Sequence, residues 1–363
     1  MSDRSRLSEV LAPLLEGATF SQRLRLSFAG VRIDVRSNSP ELIARLKRYY
    51  LDFLANSGAP DMVVNALECP PPELSLPLTL KEREPGKTQF KEAYADLADG
   101  RLVRKVRTDM LFAFGGDEHC AFGPCLENEP QVVNFINNRY IQLVLHRGAL
   151  LFHAASVALD GYGLALAGFA GAGKSTLALH IMGLGADFVS NDRAMVRLTG
   201  DRLEILGVPK MPRVNPGTVI HNESLRPVIP EQERAAYEVM SPAELWSLEH
   251  KYDAFIDECF GPNRFKLKGQ LALLTILNWR RNSGPVNISW VKLRERPDLL
   301  PAFMKDVGLF FEADDPEHEL DFSSHAYLDL LDHCRVLELT GGVDFERAAR
   351  ELLGLLQAEC RPS

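Results

Sequence analysis

Leu7, Val10, Leu11, Leu14 and Leu15 lie on one stripe at helical spacing, so the chain is expected to open with an amphipathic helix. The period then drops to two. Residues 22–36 alternate apolar and polar around Gly30, which predicts two short strands. Pro40 opens a second helical pattern through Leu42, Ile43, Leu46, Tyr50, Leu51 and Leu54. Asp61–Leu67 reads as a strand, and a Pro-rich connection runs from Cys69 to about Gly86. Residues 88–114 read as a hairpin turning at Asp99-Gly100. Its charges Arg101, Arg104, Lys105 and Arg107 are expected to form a solvated strand face.

A helix is predicted from Asn128-Glu129-Pro130 to His146, with Pro130 in the tolerated first turn and Gly148 at its end. Ala149–Leu159 is a strand with His153 at its middle, where a lone histidine is ordinarily a satisfied core residue. Asp160–Gly163 turns the chain into the apolar run Leu164–Ala167. Ser175–Met182 follows as a helix with Leu177, Ile181 and Leu184 on one face. Asp187–Asp192 reads as a strand ending in an acid, and Ala194–Leu198 with Arg202–Leu206 as a hairpin. A basic loop punctuated by Pro and Gly, residues 207–217, leads to a helical stretch at 230–248. Leu271–Trp279, Val286–Leu293 and Arg335–Leu339 are the remaining long strands. Helices at Pro297–Val307 and Ser324–Cys334 flank an acidic run from Glu312 to Glu319, and Asp344–Leu356 closes the chain as an amphipathic helix. The pattern places an α/β module of no evident chemistry at residues 1–125 and a second domain at 126–363.

Composition narrows the class. Of the 363 residues 46% are hydrophobic and 25% charged, enough to bury a sizeable core. The net charge of −8 argues against a general binder of nucleic acid or of membrane surfaces. No apolar run reaches the length of a membrane span, and the first residues lack a signal-peptide layout, so a cytoplasmic protein is expected. Six cysteines are scattered without C-x-x-C spacing. His119-Cys120 and Cys125 could offer three metal ligands, but no second cluster completes a zinc site, and ordinary reduced thiols are expected.

The chemistry concentrates between Gly168 and Asp192. Gly168, Gly173, Lys174 and Ser175 fit G-x-x-x-x-G-K-[ST], the loop that wraps phosphate groups, and it lies between a predicted strand and a predicted helix as the motif requires. Backbone N–H groups of Gly168, Phe169, Ala170, Gly171, Ala172, Gly173, Lys174, Ser175 and Thr176 would surround the phosphates of ATP. Lys174 would reach the β- and γ-phosphates, and the Ser175 hydroxyl would ligate Mg²⁺. Asp192 ends a strand only one short helix later. A carboxylate there could accept a hydroxyl proton or hold the metal. The alternative is an acid that merely ends a strand in a turn.

The layout His153, GFAGAGKST, FVSND and LEILG resembles HPr kinase/phosphorylase, a bacterial protein-serine kinase family that shares its loop fold with phosphoenolpyruvate carboxykinases. It is similar more specifically to the HprK-related kinase B group. The likeness is specific from Leu151 to Gly207 and looser through CRVLELTGGVDFERA. It implies an α/β P-loop kinase core at 126–363 that transfers the γ-phosphate of ATP, with Mg²⁺, to a serine hydroxyl of a protein. It implies roles for His153 near the transferred phosphate, for Lys174 and Ser175 in the loop, and for Asp192 as proton acceptor. Glu204 matches the family's metal-binding glutamate, and Gly261-Pro262-Asn263-Arg264 is a counterpart of its basic phosphate-handling loop, so that Arg264 or Lys210 would neutralise phosphoryl charge. The family's first aspartate is Asn191 here, which carries no charge for a metal. Two other readings use the same residues: a nucleotide-binding regulator without turnover, and a small-metabolite kinase. No nucleic-acid or membrane partner is expected, and a homo-oligomer is left open.

Overall fold

The computed structural model describes residues 5–83, 86, 88–169, 171–241, 244, 245, 248, 250–312 and 320–360. The chain is mixed α/β and forms two compact units. One comprises residues 1–147 together with 307–320; the other comprises 148–306 together with 321–363. The boundary therefore falls after the helix Glu129–His146, not at residue 125. That helix belongs with the first unit because Phe135 packs on Phe112 at 4.9 Å, and Asn137 accepts a 3.1 Å hydrogen bond from the Tyr50 hydroxyl.

The first unit is built on an eight-stranded sheet in the order β1-β2-β3-β8-β7-β6-β5-β4. Its strands are β1 (Gln22–Phe28), β2 (Val31–Ser37), β3 (Met62–Glu68), β4 (Thr79–Leu80), β5 (Glu92–Asp96), β6 (Arg101–Lys105), β7 (Leu111–Gly115) and β8 (Glu118–Gly123). The expected hairpin at 88–114 extends into a meander, because β7 adds to β6 and β8 to β7. Its charges are not simply solvated. Arg101 donates to the carbonyls of Leu309 and Phe311, and the Lys105 ammonium sits 4.9 Å from the centre of the Phe310 ring. Arg139 is fully buried, with its guanidinium 3.9 Å over Phe114 and a 2.9 Å bond to Gln142. Burial pushes the Cys120 thiol up to about 12 and holds the His119 imidazolium down to about 3. These are inert buried groups, and among the described residues no cluster of acids, histidines and cysteines could hold a metal ion.

The second unit holds a nine-stranded sheet. β9 (Leu150–Phe152), β10 (Ala154–Leu159), β11 (Tyr162–Gly168), β12 (Asp187–Ser190), β13 (Ala194–Thr199) and β14 (Arg202–Gly207) come first. A small ribbon of β15 (Arg213–Val214) and β16 (Tyr252–Asp253) follows. Then come β17 (Lys268–Leu277), β18 (Val286–Trp290) and β19 (Arg335–Gly341). β11 and β17 run parallel at the centre, and β17 pairs with β14 over its first residues and with β19 over its last. The main path reads β12-β10-β11-β17-β14-β13-β9. Its last strand and its second are separated in the chain by His153 alone, so the sheet must curl until its edges meet.

The expected strand 149–159 is consequently broken at His153, whose N–H bonds the Phe303 carbonyl at 2.7 Å. The loop helix spans Lys174–Gly183 and buries more than one face, with Leu177, Ala178, Leu179, Ile181 and Met182 all covered, while Leu184 lies exposed beyond it. The helical stretch expected at 230–248 is a helix over Glu231–Glu238; residues 242, 243, 246, 247 and 249 lie outside the described residues, as does 313–319 of the acidic run. No helix among the described residues is long and apolar enough to cross a membrane.

Closure of the curled sheet rests on Gly207. Its N–H bonds the Leu267 carbonyl at 2.9 Å, and a Cβ placed there would stand 1.9 Å from the Val189 carbonyl oxygen. Because that neighbour is backbone, one added methyl forces strands apart. Gly207→Ala is expected to destabilise the protein by about 1–3 kcal/mol, the usual cost of overpacking. Urea unfolding checks it, and an unchanged midpoint would show that β14 does not approach β12 closely there.

Candidate functional site

The turn between β11 and the helix Lys174–Gly183 carries the loop motif. Gly171 and Gly173 have φ of 78° and 88°, a region unfavourable to residues with a Cβ. A Cβ on Gly173 would also strike the Phe345 ring at 2.6 Å. Trp279 holds the loop from outside: its indole N–H donates to the Ala172 carbonyl at 2.8 Å, and its ring meets Phe345 edge-on at 5.2 Å. Lys174 folds back so that Nζ donates to the Gly168 carbonyl at 2.8 Å. Burial lowers its pKa, which the Asp192 charge opposes and Lys305 reinforces. Phe169, Gly171, Ala172, Ser175 and Thr176 follow the loop into the helix; Ala170 lies outside the described residues.

Beside the loop, one antiparallel ladder opens and closes again. Phe152 pairs with Ala194, and Ser156 pairs with Ser190. Between these pairs three residues on each chain, 153–155 and 191–193, leave the ladder, and directly beyond Ser156 a bulge shifts the register so that Val157 faces Phe188. Ala154 pairs with Ala167 on the next strand, so the opening is level with Gly168 and the start of the loop. The side chains released there meet: His153 Nε2 is 3.2 Å from Asp192 Oδ1. The Ser190 hydroxyl stabilises the opening by donating to the Arg193 carbonyl and accepting from the Val208 N–H at 3.0 Å.

Asp192 is half-exposed, yet its carboxyl is held well below the usual carboxylate range. The hydrogen bond from His153 is the main cause; Lys305, the His153 charge and Arg193 add to it against the opposing effect of burial. Lys210 lies within reach of the same carboxylate, with its own pKa lowered by burial and by Arg193. Asn191 is partly buried, and its Oδ1 accepts no hydrogen bond. Lys305 carries no motif. It arrives because residues 303–304 run along the opened ladder, with the Phe303 carbonyl taking the His153 N–H and Met304 bridging Phe152.

Two expected members are elsewhere. Glu204 faces Gln270, which faces Tyr162, and Gly168 is six positions further along β11. At about 3.3 Å per residue that places Glu204 roughly 20 Å from the loop along the strands. There its buried carboxylate pairs with Arg197 at 2.6 Å and with Lys268. Glu204 therefore cannot join Ser175 in holding a metal. Arg264 binds the wrong end of the loop helix. Its guanidinium bonds Asp187 at 2.7 Å and the carbonyls of Met182 and Ala186, completing the helix C-terminus. A ten-residue helix separates that end from the loop by about 15 Å.

No protein-family model matches the chain, and no curated protein matches it. Among solved structures it matches the Hpr(Ser) kinase/phosphatase from Coxiella burnetii. The identity is 12%, the match covers 58% of this chain and 97% of that one, and the TM-score is 0.28. A likeness of that extent carries no functional inference.

The His153–Asp192 contact has a titration consequence. A carboxyl with a depressed folded pKa adds stability above its unfolded value of about 3.9 and loses it as pH falls through the folded value. His153→Ala should raise the Asp192 pKa toward the ordinary range. Its stability deficit relative to the parent should then be present at neutral pH and shrink on acidification below about pH 4. Carboxyl carbon NMR reads the titration directly; an Asp192 midpoint unmoved by His153→Ala would show that the pair is not coupled.

Proposed function

We propose that the chain is an ATP-dependent phosphotransferase that moves the γ-phosphoryl group to a hydroxyl. The acceptor we take to be a serine of a protein, in line with the resemblance of the loop region to HPr kinase/phosphorylase. The observation that carries the reading is the level of the ladder opening. It brings His153 and Asp192, with Lys305, alongside the first residue of the phosphate loop.

In this reading the loop amides and Lys174 bind the phosphate oxygens and fix the direction of the chain. The acceptor hydroxyl lies against Asp192. Its oxygen forms the new bond to the γ-phosphorus as the bond to the β-bridging oxygen breaks, so ADP leaves and the hydroxyl proton passes to the Asp192 carboxylate. With its pKa depressed, that carboxylate is a weak proton sink. It acts chiefly by orienting the hydroxyl, and it takes the proton late, when the oxygen has become acidic. Phosphoryl transfer tolerates this, because its loose transition state asks for position and charge more than for a strong base. Lys174, Lys305 and Lys210 supply the positive charge that the expected Arg264 does not. ATP would arrive as its magnesium complex. Ser175, at the start of the helix, is the chain's own hydroxyl donor for the ion, without Glu204.

Asp192→Asn keeps the shape and removes the carboxylate. Single-turnover transfer from labelled ATP to an acceptor protein is expected to fall by about 10²–10⁴, the usual worth of a positioned acid–base group. ATP binding by calorimetry should survive in this variant and weaken in Lys174→Ala. Full transfer by Asp192→Asn would remove Asp192 from the chemistry, and unchanged ATP binding by Lys174→Ala would remove the loop assignment.

A further inference from the structure

A cleft of about 670 Å³ opens on the far side of the loop helix from His153 and Asp192. Gly173, Thr176, Thr218, Val286, Val343 and Phe345 are among its lining residues. The sheet order fixes its place. The acid lies beyond β10, on one side of β11; Val286 is on β18 and Val343 follows β19, beyond β17 on the other. The phosphate loop, at the end of β11, stands between the two. A phosphate chain whose γ end faces Asp192 must run its other end toward this cleft.

We propose that the cleft receives the nucleoside of the bound triphosphate. The inference rests on the nucleotide reading above and adds the seat of its base and ribose. Its size falls within the roughly 300–1,000 Å³ common for small-molecule sites. Its chemistry is mixed in the way a nucleoside requires. Val286, Val343 and Phe345 give apolar surface for a base, and Arg281 also lines the cleft. The Thr176 and Thr218 hydroxyls stand 3.3 Å apart at the loop end of the cleft, where ribose and the first phosphate would pass. Asn215 fixes that pair by accepting from the Thr218 N–H at 2.9 Å and from its hydroxyl at 3.0 Å. Phe345 belongs to both places: it lines the cleft, stacks on His180 with ring centres 5.7 Å apart, and limits Gly173 to a residue without a side chain.

The test compares ATP with tripolyphosphate, which carries the phosphates and no nucleoside, both as magnesium complexes and by calorimetry on the full chain. The parent protein should bind ATP at least about tenfold more tightly. Val343→Trp, which fills the cleft from a partly exposed position, should remove that advantage and leave tripolyphosphate binding within about twofold. Thr218→Val, which keeps the volume, should weaken ATP selectively and serves where the larger substitution disturbs folding. Labelling by 8-azido-ATP should fall on peptides containing 281–286, 342–347 or 215–221. Equal affinity of the parent for ATP and tripolyphosphate, or labelling confined to residues 1–147, would overturn the proposal while leaving the phosphate loop intact. Binding of neither compound would overturn the nucleotide reading and this inference with it.

Discussion

Everything at the candidate site depends on backbone pairing that stops for three residues, resumes at Ser156–Ser190 and bulges directly beyond it. Such a gap releases N–H and C=O groups that a strand would otherwise bond, and buried groups of this kind are costly to leave unpaired. Here two of the released groups find partners: the Phe303 carbonyl for the His153 N–H, and the Ser190 hydroxyl for the Arg193 carbonyl. With these bonds made, two side chains that would have pointed to opposite faces of a pleated sheet can meet. The Ala154–Ala167 pair keeps the gap in line with the end of β11.

The loop was readable because its constraint is local. Consecutive residues supply the turn, the glycines and the helix start, so a short motif determines the geometry. Asp192 was readable for the same reason, being one short helix away. Glu204 and Arg264 misled because their positions depend on which strand lies beside which, and on which end of a helix a later loop returns to. Nothing in LEILG distinguishes the end of a strand near the loop from the end remote from it. Lys305 was unreadable for the converse reason: it stands in an unremarkable stretch, and only the path of residues 303–304 along the opened ladder brings its charge to Asp192. The split of the expected strand at His153 was likewise hidden, since Leu151, Phe152, Ala154 and Ala155 are buried whether the strand is straight or broken.

The two units handle charge differently. In the first, Arg139 is buried with an aromatic face, an amide and a carbonyl around its guanidinium, its Nε makes no hydrogen bond, and burial lowers its pKa to about 9. In the second, Lys174, Lys210, Lys305 and Arg193 gather around one half-exposed acid.

The first unit is discontinuous, completed by residues 307–320, and this bears on the order in which the protein can be made. As the chain leaves the ribosome, residues 5–147 emerge without the segment whose Phe310 packs against Phe112 and Phe114 and whose carbonyls take Arg101 and Arg139. That sheet must wait, with an aromatic pocket open and a guanidinium unsatisfied, while 148–306 is synthesised. Domains usually complete themselves in the order of translation. Here the earlier unit finishes after most of the later one has appeared, so the order of synthesis leaves its aromatic pocket to be filled by a segment made about 160 residues later.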